Sequence, residues 1–70
     1  MENPTQAKLT KLLEFYHNKK FDQAVKLATS ITQEFPDHPL AWKVLGISLK
    51  LIGKKTKALS ANLRAVELSS

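Results

Sequence analysis

Displaced by 34 residues, the chain falls on itself. Ala24 lands on Ala58, Lys20 on Lys54, Phe15 on Leu49 and Ile31 on Ala65, while Phe35 and Pro36 meet Ser69 and Ser70. A period of that length holds two helices with their turns, the size of unit from which helical repeat architectures are stacked. No single unit of this kind buries its own apolar face, so the offset already demands that the two halves pack on each other.

The local punctuation agrees. "HNKK" (17–20) is a polar break, "FPDHP" (35–39) holds two prolines and "GKK" (53–55) opens with a glycine, which leaves four segments, each with helical apolar spacing and none with sustained alternation. The first starts at Asn3, an N-cap residue, followed by Pro4 and with Gln6 placed as in a capping box. In it Leu9, Leu12, Leu13 and Tyr16 form an i, i+3, i+4, i+7 stripe with Phe15 at its edge. The second runs from about Phe21 to Phe35, with Ala24, Leu27, Ala28, Ile31 and Phe35 on one side. Pro36 cannot continue it.

The third segment begins at Asp37 or His38, carries Pro39 in its first turn and reaches about Ile52, where Gly53 suits a helix stop. It is apolar nearly all round, so it must be covered on several sides. The fourth, from about Thr56 to Leu68, has two stripes: Ala58, Ala61, Ala65 and Leu68, and separately Leu59, Leu63 and Val66. In a four-helix chain one neighbour covers only one of them.

Composition narrows the chemistry. The chain has 70 residues, 43% of them hydrophobic, and no cysteine, so it is globular, one small domain, without a disulfide or a cysteine-ligated metal. No apolar run approaches the ~18 residues of a membrane span, and the first residues lack a secretory hydrophobic stretch; the expected location is cytoplasmic. The net charge of +5 comes from eleven Lys and Arg against six Asp and Glu, and Arg64 is the only arginine. Lysine is a flexible point charge, less suited than arginine to bidentate phosphate or base recognition. His17 and His38 fall on different segments, and no paired carboxylates, phosphate-cradling glycine loop or HExxH spacing occurs. The expectation is a protein that is not an enzyme and that uses no cofactor or metal.

Trp42-x2-Leu45-Gly46, then Leu49, Ala58 and Ala65, resembles the tetratricopeptide repeat pattern W-x2-L-G-x2-Y, A-x3-F, A, P. In this second copy Leu49 replaces the tyrosine, Asn62 an aromatic and Ser70 the proline. The first copy is degenerate: Lys8, Lys11 and Leu12 stand for Trp, Leu and Gly, and Ala28 and Ile31 are also substitutions, whereas Phe15 serves as the aromatic and Ala24 and Pro36 fit. The resemblance covers nearly the whole chain, as repeat one (about 5–38) and repeat two (about 39–70). It implies an all-α fold of antiparallel helical hairpins, two stacked units in an α-α superhelix.

The resemblance also implies a protein-interaction module whose groove is lined by the first helix of each pair: Gln6, Leu9, Leu13, Tyr16 and His17, then Leu40, Lys43, Ile47, Lys50 and Leu51. Leu9 and Leu13 stand where a carboxylate clamp needs Lys and Asn, so the expected occupant is an amphipathic helix or peptide. The alternative is that these apolar residues are ordinary core. Beyond the groove, the stripe of Leu59, Leu63 and Val66 is expected to lie bare at the end of the stack, as a self-association face for a homodimer or as the seat of a further repeat. A different class of partner is suggested by the basic turns: Lys19 and Lys20, then Lys54, Lys55 and Lys57, make an edge that suits nucleic acid or an acidic partner. Aromatics for base stacking are not interleaved there, apart from Phe21.

Overall fold

The computed structural model describes residues 6–69; the start signal at Asn3 and Pro4, and Ser70, lie outside the described residues. Within that range the chain is all α-helical, with no strand: α1 (Gln6–His17), α2 (Phe21–Glu34), α3 (Pro39–Leu51) and α4 (Lys55–Ser69). The punctuation read from the sequence holds to within a residue or two. Helix α3 starts on Pro39 itself, with His38 extended before it (φ −92°, ψ 107°) and no side chain capping the first turn. Proline at the first helical position carries no N–H to satisfy, and its fixed φ does the work that a cap does elsewhere.

Consecutive helices pack on one another, and α3 is the centre: it touches α1, α2 and α4, whereas α4 meets neither α1 nor α2. That is the covering which its nearly all-round apolar sequence requires. The α3–α4 contact is the most extensive, and small residues explain it. Gly46, Ala58, Ala61 and Ala65 are all buried, so the two backbones approach closely. Among the fully buried side chains, Leu12 of α1 and Ile31 of α2 are the large apolar ones, and they fill the first hairpin.

The two α-helical turns are copies. Asn18, Lys19 and Lys20 donate backbone N–H groups to the carbonyls of Glu14, Tyr16 and Phe15; Ile52, Gly53 and Lys54 donate to Ser48, Lys50 and Leu49, each 34 residues on. Ala24 then bonds Lys20, and Ala58 bonds Lys54, at 2.9 Å in both cases. Each turn satisfies helix-terminal carbonyls and re-aims the chain in the same way. The offset seen in the letters is thus also an offset in backbone geometry. No helix among the described residues is long and apolar enough to cross a membrane.

Candidate functional site

A helix packed on a neighbour normally turns its apolar side inward. Helix α4 has apolar residues on both sides. Its alanine stripe (Ala58, Ala61, Ala65) is buried, and Leu59, Leu63 and Val66, spaced i, i+4, i+7 on the other side, are 71%, 59% and 63% exposed. With Leu51 at the end of α3 (55%), these are the large hydrophobic side chains left in solvent among the described residues.

The first half of the chain shows what such a stripe does when it is covered. The residues 34 positions earlier are Val25, Thr29 and Thr32 of α2; the first two are half-buried and Thr32 is buried. Helix α3 packs on α2, and its Trp42, Leu45 and Leu49 share a depression with Val25 and Thr29. At α4 the same positions are larger and more apolar, yet exposed. Beside them a shallow depression of about 590 Å³ runs between α3 and α4, lined by Lys43, Ile47, Asn62, Ala65, Val66 and Ser69.

This arrangement joins two sets of residues that the sequence suggests as separate surfaces. Lys43 and Ile47, from the expected groove, share one depression with Val66, from the expected self-association face. Asn62, Ala65 and Ser69 were not marked as site residues by sequence; the signal available was their place beside the outer stripe of α4. The other groove residues are more dispersed. Leu13, Tyr16 and Leu40 are half-buried and pack against the core, and Leu9 is half-buried. His17 is exposed with its ring 5.7 Å from that of Tyr16, which also meets Phe21 edge-on at 5.9 Å. Gln6, Lys43, Lys50 and Leu51 are exposed.

The five lysines of the basic edge, Lys19, Lys20, Lys54, Lys55 and Lys57, are all exposed, in or beside the two equivalent turns. Lys54 and Lys57 also border a second depression, of about 560 Å³, which opens between α2 and α4. Its lining includes Trp42, Leu45 and Leu49 of α3, Val25 of α2 and Arg64 of α4. The Trp42 indole N–H donates to the Pro36 carbonyl at 2.7 Å, so the polar end of that ring is already satisfied. Arg64 is paired loosely with Glu67 one turn on, at 3.5 Å. Among the described residues no three His, Asp or Glu side chains gather as a metal site.

No family model matches the chain, and neither a curated protein nor a solved structure matches it significantly.

Proposed function

We propose that this chain is a non-catalytic protein-interaction module of tetratricopeptide type, built of two repeats, which assembles through the exposed apolar side of α4 and the adjoining α3–α4 depression. The observation that carries the reading is the exposure of Leu59, Leu63 and Val66 on a helix whose other side is already packed. Apolar surface that is contiguous and aligned along one helix is the ordinary mark of a docking face. The two-helix period, the copied turns and the partly covered equivalent face on α2 support the repeat assignment. The partner is a helix, supplied by a second copy or by another protein, with Lys43 at the rim setting orientation and association rate. A cytoplasmic location belongs to this same reading.

Solution mass across a wide concentration range tests it. The wild-type chain is expected to gain mass with concentration, and Leu63→Glu to stay monomeric with an unchanged helical circular dichroism spectrum. A variant that associates as the wild type does would remove α4 from the interface.

The basic edge favours a second reading, an acidic partner. Its observation is the placing of Lys54, Lys57 and Arg64 around the apolar depression at Trp42. For nucleic acid, affinity must fall steeply as salt rises, since each phosphate contact releases counterions. Binding that survives salt would exclude nucleic acid and leave the apolar face in charge.

A further inference from the structure

We infer that the helix covering α4 is α4 of a second copy, lying antiparallel about a two-fold axis beside Leu63, so that the chain forms a closed dimer and not a growing stack. This rests on the assembly reading above and adds the occupant, its direction and the closure.

The stripe is self-complementary when reversed. Leu59 lies four residues before Leu63 and Val66 three after it, so an antiparallel copy sets Leu63 against Leu63 and each Leu59 against the other chain's Val66. The charges choose the same direction. Lys55 and Lys57 stand in the first turn of α4 and Glu67 in the last. Antiparallel pairing brings each Glu67 towards the lysine-bearing, dipole-positive start of the other helix, whereas parallel pairing sets lysine beside lysine. Among the described residues, Glu67 is held on its own helix by the exposed 3.5 Å pair with Arg64, a contact weak enough to be shared.

Closure follows from the opposite end of the stack. A head-to-tail contact would ask α1 to do for the next copy what α3 does for α2. Beside Val25 and Thr29, α3 presents Trp42, Leu45 and Leu49. The equivalent residues of α1 are Lys8, Lys11 and Phe15. Lys8 is ion-paired with Glu34 at 2.8 Å, and the Lys11 ammonium lies 5.6 Å over the Phe15 ring. That end presents cations where the leucine stripe needs apolar surface, and burying them there is costly. Helix α4, at 15 residues, is about 22 Å long. One face of such a helix gives an interface at the small end of specific contacts, so the dimer dissociates on dilution.

The chain has no cysteine, which makes single-cysteine variants clean reporters. At helix axes about 8–10 Å apart, residues at the two-fold come within disulfide reach. Leu63→Cys, Lys11→Cys and the double variant would be oxidised with diamide at a concentration where the wild type associates, with helicity checked by circular dichroism. Leu63→Cys is expected to give a covalent dimer, Lys11→Cys only monomer, and the double variant only dimer. A ladder of trimers and larger species from the double variant overturns closure and leaves assembly standing. A wild type that doubles its mass while Leu63→Cys fails to cross-link overturns the pairing of α4 with α4 and leaves assembly standing. A wild type that is monomeric at every concentration overturns both this inference and the assembly reading.

Discussion

Lys19 and Gly53, 34 residues apart, both sit in left-handed backbone, at φ 62° and φ 90°. They hold the same place in two copies of one turn, yet only one of them is glycine. A side chain at positive φ crowds its own backbone, at a cost of about 1–2 kcal/mol. Lys19 is therefore a strained copy of Gly53, held because the turn needs that geometry to start α2. Lys19→Gly is expected to stabilise the chain by about 1 kcal/mol, which raises Tm by roughly 4–8 °C in a domain of this size. Gly53→Ala is expected to lower it by a comparable amount. No atom lies within 4 Å of a Cβ added at Gly53, so that loss would be backbone strain and not a clash. Thermal denaturation of both variants decides it; a destabilised Lys19→Gly would show that the left-handed turn is not the native one.

Among the described residues two hydroxyls are buried, and they are unlike. Thr32 Oγ1 donates to the Thr29 carbonyl at 2.9 Å, whereas Ser48 Oγ, on a fully buried residue of α3, has no hydrogen-bond partner among those residues. A buried polar group without a hydrogen bond costs about 1–3 kcal/mol. Ser48→Ala removes that cost and improves helix propensity, so its Tm is expected to rise. Thr32→Val, which removes a satisfied bond, is expected to lower Tm slightly.

Much of this was legible in the sequence, and the limits follow from what letters carry. The four helices could be placed because Pro36, Pro39 and Gly53 act locally, through their own backbone geometry, and because the polar run at 17–20 interrupts the apolar spacing. The double-sided character of α4 was also visible, since Leu59, Leu63 and Val66 fall on one side by spacing alone. The groove was less so. Whether Leu13 or Tyr16 points to core or solvent depends on how far α1 is rolled against α3, a tertiary quantity that spacing leaves free. The sharing of one depression by Ile47 and Val66 depends likewise on the closeness of α3 and α4. The left-handed Lys19 could have been found through its equivalence to Gly53, but lysine carries no local signal for that conformation.

Trp42 ties the connection between the repeats to α3. Its indole N–H meets the Pro36 carbonyl six residues back, in the segment where two prolines remove backbone donors. Trp42→Phe keeps an aromatic ring against the core and leaves that carbonyl without its donor. The expected loss is about 1 kcal/mol for the bond, with some added for the smaller ring. Trp42→Ala would lose more, about 2–3 kcal/mol, since the half-buried ring also packs against the core. If Trp42→Phe and Trp42→Ala proved equally damaging in urea denaturation, the hydrogen bond rather than the packing would be the dominant contribution.

At Gly46 helix α3 lies close against α4, and Asn62 is what it meets. A Cβ added at Gly46 would clash with the Asn62 side chain, lying 2.7 Å from its Cγ, and 3.1 Å from its backbone nitrogen. The first contact is with a movable group and the second is not. Two terms oppose each other in Gly46→Ala: helix propensity gains about 1 kcal/mol, and overpacking loses about 1–3 kcal/mol. The net result is expected to be destabilising while Asn62 is present. In an Asn62→Ala background the worse clash is gone, and a shift of a few tenths of an ångström relieves the rest, so Gly46→Ala should become neutral or stabilising. A double-mutant cycle by urea denaturation measures the difference, expected at about 1–2 kcal/mol of coupling. Additive effects would mean that the helices separate as a whole to admit the methyl group, and that the close approach is set by the alanines of α4 and not by this pair.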